Sequence, residues 1–574
     1  MTDWRKEYEN WLTSPALTGA EKTELENIKD DDKEIESRFC MDLQFGTAGL
    51  RGIMGMGTNR MNIHVIRHAT ECFAMTILED FGDNPSIAIC FDCRKMSEDF
   101  AREAACVMAA NGIKALLFDA MRPTPELSFA VRHHGCSAGL NITASHNPKE
   151  YNGYKVYWSD GAQLPPKQAE RIAKKMASTD VFKSVKTMPY DEALSKGLIK
   201  LIGSETDSEF LENVMAQAIN PDCVKKAEDF KMVYTPFHGA GARMIPEALR
   251  RLGIKNLYCE EKQMVPDGEF PTVKSPNPEN PEGFYLSIEL ADKVGADFIL
   301  GSDPDADRVG ILVRGKDGTF VPITGNQTGA LLLNYLIGAM KRKGTLPENA
   351  VALKTIVTTE LTRSIAVKHG IKCYDTFTGF KFMAEKKNLL EEKGEGKVIF
   401  SYEESYGYML GDYVRDKDAV SASLLLTEMA AYYHNLGKSL LDVLEELFSE
   451  FGCYEEKTIN IIMPGLEGMA RMADIMDTLR KNSPKSIAET DVISVRDYLT
   501  GEEKDLFTGE KTSIELSGSN VLSFDMADST RLIIRPSGTE PKIKIYILAH
   551  DETKEGAHTA AEKYAVWADT IKEI

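Results

Sequence analysis

Residues 86–119 read SIAICFDCRKMSEDFAREAACVMAANGIKALLFD. SIAICFD (86–92) and IKALLFD (113–119) are short apolar runs of strand length, and Ser97 to Asn111 between them has a helical pattern. Strand, helix and strand in so short a span are the rhythm of a parallel α/β sheet. AGLNITA (138–144) supplies a further strand. The rhythm restarts at KMVYTPF (231–237), IKNLYCE (254–260) and ADFILGSD (296–303). It restarts again at AVALKTIV (350–357), IKCYDTF (371–377) and KVIFSYEE (397–404). Three such runs in a row suggest a duplicated architecture, although no repeat is visible by residue identity.

Outside these runs the pattern changes. Residues 1 to about 40 form an amphipathic helical prelude, with Trp4, Tyr8, Trp11 and Leu12 near helical spacing. A long helical region from about Val420 to Phe451 breaks near Gly437. TINIIMP, SNVLSFDM and RLIIRPSGTEPKIKIYILAH then read as strands around helices, a separate α+β domain. Linkers are expected near 200–207, 320–326 and 452–456.

At 574 residues the chain exceeds one compact core and implies about three to five domains. Its net charge of −20 argues against general binding to nucleic acid or an anionic membrane. An anionic substrate would therefore require cations gathered locally at the site. Ten scattered cysteines are too sparse for a disulfide framework and fit a reducing, cytoplasmic setting. The lone Cys90-x-x-Cys93 follows an apolar run and reads as a strand end rather than a zinc or redox pair. The N-terminus has no signal-peptide core, and no window nears 18 uninterrupted apolar residues.

Four stretches carry chemistry. In GSDPDADRVG (301–310), Asp303, Asp305 and Asp307 alternate on a loop after an apolar strand, so three carboxylates can converge on one hard cation. The stretch is not an EF-hand, which needs Gly after the third acid where this chain has Arg308. In RLIIRPSGTEPKIKIY (531–546), Arg535, Pro536, Ser537, Gly538 and Thr539 form a turn able to cradle a phosphate. In IFSYEESYGYMLGD (399–412), Glu403, Glu404 and Ser405 end an apolar strand, where open α/β sheets bind ligands. FGTAGLRG (45–52) and TFTGFKFM (376–383) each place one cation, Arg51 or Lys381, after a glycine turn. Arg122 and His238 default to a surface turn and a packed histidine.

TASHNPKEYNGYKVY (143–157) turns at Asn147-Pro148 and, by its composition, again at Asn152-Gly153. Ser145 on this stretch is either a turn cap or a displayed nucleophile. The sequence has no GxSxG around it, no GxxxxGK[ST] phosphate loop and no HExxH.

TASHNP, DPDADR, EES and RPSGTEP in this order closely resemble the α-D-phosphohexomutases, the phosphoglucomutase/phosphomannomutase superfamily. The likeness runs from Phe45 onward. FGTAGLRG, YTPFHGAG, TGNQTG and YEESYGY look most like the phosphoglucomutase/phosphopentomutase subgroup. The resemblance implies four domains around a central cleft: three related α/β domains with mixed or parallel sheets and a C-terminal α+β domain. On this chain they would fall at 1–205, 206–322, 323–453 and 454–574.

By the same resemblance Ser145 matches the phosphorylated serine, and Asp303, Asp305 and Asp307 with Ser145 match the Mg²⁺ ligands. Arg308, Lys381, Glu403, Ser405, Arg535, Ser537, Gly538 and Thr539 match substrate-binding positions. Arg51, His146 and Lys155 match positions near the transferred phosphoryl group, the lysine as a candidate acid or base. The implied reaction interconverts glucose 1-phosphate and glucose 6-phosphate, with glucose 1,6-bisphosphate as intermediate and activator. Phosphopentomutase and phosphomannomutase are the variants on the same machinery. A phosphoserine-type phosphatase and a silent sugar-phosphate sensor are the rivals outside it. The expected partner is a small sugar phosphate, without nucleic acid or membrane, for a monomer or weak dimer in the cytoplasm. Pro304 and Ala306 stand where relatives often have glycine in the aspartate loop, and Tyr402 where many have glycine before Glu-x-Ser.

Overall fold

Apolar strands buried on both faces organise the protein. Ala138–Ile142, Phe298–Ser302 and Ala350–Thr355 are buried at every position, as parallel strands between helical layers must be. The computed structural model describes residues 3–46, 49–463, 465–537 and 542–573. They divide into two compact units, Met1–Ile323 with Tyr406–Gly437, and Thr324–Ser405 with Lys438–Ile574.

The first unit holds two sheets. In one, Ala138–Ile142, Ser86–Phe91, Lys114–Phe118 and Ile199–Ile202 lie parallel in that spatial order. Tyr151–Trp158 and Leu50–Ile53 extend it antiparallel beyond Ala138–Ile142. The second sheet has a parallel core of Asn256–Cys259, Lys231–Thr235 and Phe298–Ser302. Val309–Arg314 and Phe320–Ile323 continue it antiparallel. Each sheet is thus mixed, as expected: its parallel strands run out to one edge, and antiparallel strands extend the other.

The second unit contains the parallel strands Lys372–Thr376, Ala350–Thr355 and Lys397–Glu403. It also contains an antiparallel sheet running from Cys453–Ile462 through Lys542–Asp551, Arg531–Pro536 and Leu522–Met526 to Thr490–Asp497.

Local chemistry fixes the helix starts. Asn62 caps Ile63–Phe81 by accepting from the amides of His64 and Val65. In TGNQTG, Thr324 and Gln327 form a reciprocal capping box at the start of Gly325–Lys343. The helical prelude is Trp4–Thr13, Gly19–Glu26 and Asp32–Phe39, anchored by fully buried Trp11 edge-on to Phe39 and Phe182.

The expected linkers are not linkers. Positions 200–207 fall in strand Ile199–Ile202 and helix Ser204–Met215, and 320–326 in strand Phe320–Ile323 and helix Gly325–Lys343. Positions 452–456 fall largely in strand Cys453–Ile462. Ala419–His434 and Leu440–Phe451 flank the expected break at Gly437. No helix among the described residues is long and apolar enough to cross a membrane.

Candidate active site

The aspartate loop joins strand Phe298–Ser302 to its antiparallel neighbour Val309–Arg314, a tight reversal that turns alternate side chains inward. Asp303 Oδ1 ties the loop together by accepting from the amides of Asp307 at 3.1 Å and Arg308 at 3.0 Å. Ala306 sits in the left-handed region at φ 50°. Ala306 thus keeps a backbone shape that costs a residue with a Cβ about 1–2 kcal/mol. Pro304 is braced from outside: its carbonyl accepts from Ala240 N at 2.8 Å, and a Cβ on Gly239 would lie 2.4 Å from Pro304 Cα. That contact explains FHGAG, where Phe237 and His238 take positive φ values to bring Gly239 against the loop. His238 is packed as expected, bonded to Val265 O and Thr272 Oγ1.

Asp303, Asp305 and Asp307 are buried, and each offers an oxygen within 4.8 Å of the others. Burial, followed by repulsion from Asp305 and Asp307, pushes the Asp303 carboxyl well above the ordinary carboxylate range. Asp305 Oδ1 and Asp307 Oδ1 are buried without a hydrogen-bond partner. Converging hard oxygens, two of them unsatisfied, fit a divalent cation of the Mg²⁺ type.

Ser145 meets this cluster. Its Oγ donates to Asp303 Oδ2 at 2.8 Å, and His146 Nδ1 lies 3.2 Å from the same Oγ. Ser145 is 3 % exposed, with φ 52°. Burial, then the Arg308 and Arg51 charges, hold His146 well below the usual histidine range, so its ring is neutral at pH 7.

Lys155 reaches the cluster from strand Tyr151–Trp158, placing Nζ 2.6 Å from Asp305 Oδ2 and 3.2 Å from Asp307 Oδ2. Burial pulls the ammonium down, but Asp305 and Asp307 more than offset it and its pKa stands above the usual lysine value. The expected turn at Asn152-Gly153 is absent. Both residues lie inside that strand, and a Cβ on Gly153 would lie 2.4 Å from Thr143 O. Gly153 is there for close backbone approach, and Lys155 arrives by strand pairing opposite Asn141.

Arg51, on Leu50–Ile53, donates to Asn147 Oδ1 at 3.0 Å. Arg308 pairs with Glu279 at 2.8 Å and lies 4.0 Å from Asp307 Oδ1. Sequence reasoning missed three neighbours. Thr124 donates from Oγ1 to Asp305 Oδ2 at 2.8 Å, and Asn141 Nδ2 donates to that Thr124 oxygen. Lys417 Nζ lies 3.2 Å from Asp307 Oδ2. The RDKD run that holds Lys417 looks in sequence like any solvated charge cluster. Arg122 is no surface turn. It is fully buried and bonded to Asp207 and Asp119, a network the sequence separates by 85 positions.

In the second unit a different set assembles. Glu403 ends strand Lys397–Glu403, and its Oε1 accepts from Gly379 N at 2.6 Å, tying the Glu-Glu-Ser loop to the Lys381 loop. Glu404 accepts from Thr355 and Thr358, and Ser405 follows half-buried. Lys381 opens helix Phe380–Glu392 and is lowered by burial, with Glu385 opposing. Arg535 lies within strand Arg531–Pro536, opposite Lys544, rather than in a free turn. Ser537 N donates to Lys542 O at 2.8 Å. Gly538 and Thr539 lie outside the described residues. Tyr546, also missed in sequence, joins the two loops. Burial and then Glu404 raise its hydroxyl, while the Arg535 charge and a hydrogen bond from it pull the other way. Tyr402 is fully buried, stacked on Phe400 with centroids 5.3 Å apart, and occupies the space a Cβ on Gly329 would need.

Two clusters of this kind, one of carboxylates around a serine and one of cations and carboxylates on paired loops, define a phosphoryl-transfer protein acting on a polyhydroxyl compound. Its sequence matches the four domain profiles of one family in order. Residues 42–182, 208–316 and 324–451 match phosphoglucomutase/phosphomannomutase alpha/beta/alpha domains I, II and III, and 459–565 match the C-terminal domain. The chain belongs to the phosphoglucomutase/phosphomannomutase family. It is 37% identical over 512 residues to a phosphoglucomutase of Staphylococcus haemolyticus, covering 89% of this chain and 91% of that one. It is 36% identical over 528 residues to one of Staphylococcus aureus, covering 91% and 93%. The fold is similar to that of a phosphoglucomutase/phosphomannomutase family protein from Burkholderia thailandensis (TM-score 0.66, 17% identity, 93% and 98% covered). It is also similar to the open form of parafusin, a phosphoglucomutase from Paramecium (TM-score 0.65, 19% identity, 92% and 95% covered).

Proposed function

We propose that the protein is a phosphoglucomutase, interconverting glucose 1-phosphate and glucose 6-phosphate through a phosphoserine at Ser145 and a glucose 1,6-bisphosphate intermediate. The observation that carries this reading is the Ser145 hydroxyl hydrogen-bonded to Asp303 at 2.8 Å within a converging aspartate triad. In the forward half-reaction the bond between phosphorus and Ser145 Oγ breaks as a sugar hydroxyl oxygen bonds to phosphorus, and the hydroxyl proton leaves to a base. The bisphosphate then returns its other phosphoryl group to Oγ, regenerating the phosphoserine.

Asp303, Asp305 and Asp307 would hold Mg²⁺, together with an oxygen of the phosphate on Ser145. That ion supplies charge neutralisation to the group in transfer. Lys155, Arg51 and Arg308 add fixed positive charge on the protein side, Lys155 also bringing a proton, and His146 touches Oγ as a neutral ring. Glu403 and Ser405 accept from sugar hydroxyls. Lys381, Arg535, Ser537, Gly538 and Thr539 hold the phosphate not in transfer, so that remote binding energy aligns the reacting hydroxyl. Glucose 1,6-bisphosphate serves as activator by loading Ser145. We divide the chain into domains 1–205, 206–322, 323–453 and 454–574, about one sheet to each, with Ile323 and Cys453 falling across the bounds from the rest of their strands. Ten free cysteines support a cytoplasmic enzyme, which we read as a monomer or weak dimer.

The test supplies purified protein with glucose 1-phosphate, Mg²⁺ and catalytic glucose 1,6-bisphosphate, and measures glucose 6-phosphate against free phosphate. Stoichiometric glucose 6-phosphate with little phosphate supports the proposal. Phosphate release at a comparable rate, or turnover of ribose 1-phosphate alone, rejects it.

A further inference from the structure

We infer that Arg94 is the positioning residue that holds Ser145 in its reactive geometry, and that Phe270 fixes Arg94 in turn. The inference rests on the reading of Ser145 as the phosphate carrier. Ser145 has φ 52°, a region unfavourable to a residue with a Cβ, so the surroundings must impose it.

Arg94 is 3 % exposed, and its guanidinium fork spends its donors on the backbone of the serine loop. One terminal nitrogen, Nη2, donates to Ser145 O at 2.6 Å and to Asn147 O. The other, Nη1, donates to Pro148 O at 2.8 Å and Tyr151 O at 3.0 Å. Arg94 Nε lies 3.4 Å from Asp92 Oδ2. The same Asp92 oxygen accepts from Thr143 Oγ1, which itself accepts from Ser145 N at 2.8 Å. Asp92-x-Arg94 therefore grips the amide of Ser145 and its carbonyl at once. Only a planar fork reaches four carbonyls in this way; an ammonium is a point donor.

A second segment locks the fork. Phe270 presents its ring 5.1 Å from Arg94 Cζ, and is itself buried at a positive φ of 47°. Two residues before it, Gly268 lies against the Arg94 turn, where a Cβ would stand 2.6 Å from Lys95 N and 2.8 Å from Cys93 O. Between them Glu269 pairs with Lys149, just past the serine loop, at 2.8 Å, and with Lys95. The segment 268–270 belongs to the same sheet domain as the aspartate loop, so the nucleophile and its metal ligands share one brace. Arg94 acts through the backbone of the loop that carries Ser145, residues 145–151.

The experiment follows phosphorylation of Ser145 by glucose 1,6-bisphosphate, by intact mass, in the wild type, Arg94→Lys, Arg94→Ala and Phe270→Leu. Amide hydrogen exchange over residues 143–151 is measured alongside. A misplacement of about 1 Å costs roughly 100-fold, so Arg94→Lys is expected to slow phosphorylation about 100-fold and Phe270→Leu about tenfold. KM for glucose 1-phosphate should stay within about threefold in both, because substrate-holding residues are untouched. Exchange over 143–151 should rise while the rest of the protein is unchanged. If Arg94→Ala does not fold, the lysine and leucine variants decide. Wild-type phosphorylation with an Arg94→Lys rate within about threefold of it overturns the inference. A wild type that takes no phosphate on Ser145 instead overturns the reading beneath it.

Discussion

Replacing Lys155 by Met keeps most of the side-chain volume but removes the ammonium that lies 2.6 Å from Asp305 and 3.2 Å from Asp307. At these separations and an effective dielectric constant of ~20 each pair is worth roughly 5–6 kcal/mol before desolvation is counted. Breaking a buried pair by removing one partner costs about 3–5 kcal/mol net, since the other charge stays buried. Lys417, 3.2 Å from Asp307, is too few charges to compensate for both carboxylates. The metal-free variant should therefore melt ~6–10 °C below the metal-free wild type, taking about 2 °C per kcal/mol. A bound divalent cation neutralises the same carboxylates, so millimolar Mg²⁺ should restore a larger share of stability to the variant than it adds to the wild type. The assay is thermal melting of both proteins with chelator and with Mg²⁺. A variant as stable as wild type without metal, or an identical deficit with and without Mg²⁺, would refute this account of the cluster.

Ser145→Ala should abolish turnover while still binding glucose 6-phosphate with a Kd within about threefold of wild type, measured calorimetrically; an active variant removes Ser145 from its role. Gly153→Ala places a Cβ 2.4 Å from Thr143 O and 3.1 Å from Leu50 O, so it should destabilise the protein. Overpacking of this kind costs ~1–3 kcal/mol, and activity should fall further because the strand carrying Lys155 shifts. Glu456 is half-buried with its carboxyl raised to about 7, chiefly by burial, while a hydrogen bond from Thr359 opposes. A carboxyl raised on folding binds its proton more tightly in the native state, so its contribution is largest at low pH and declines as pH rises from about 4.5 through 7. Glu456→Gln mimics the protonated form and should stabilise the protein at pH 8 by ~1–3 kcal/mol, discounted for partial exposure, and by less at pH 5. Denaturant melts at both pH values check this, and equal effects would contradict it.

The α/β interior was legible because its strands are apolar on both faces: 86–92, 113–119 and 138–144 all contain the observed strands. The antiparallel additions were not, because Tyr151–Trp158 contains Asn152-Gly153, a pair that usually marks a turn. Only the close approach of Thr143 O reveals why glycine is needed. In the site, Asp303, Asp305 and Asp307 announce themselves by strict alternation on one loop. Arg94, Thr124 and Lys417 do not, since each joins the cluster from a distant segment. Nothing local distinguishes the buried fork of Arg94 from a surface arginine, or the ammonium of Lys417 from a solvated one. Tyr546 reads as one more aromatic in a strand until its hydroxyl is seen beside Arg535.

The central claim is that Ser145 carries the phosphoryl group between sugars. The most direct measurement incubates the Mg²⁺-loaded protein with glucose 1,6-bisphosphate, removes free sugar, maps the phosphate by peptide mass, and chases with glucose 6-phosphate. The account predicts one phosphate on the peptide holding Ser145, and its transfer to glucose 6-phosphate to regenerate the bisphosphate. Phosphate found on another residue, or released to water rather than to the sugar, would contradict it.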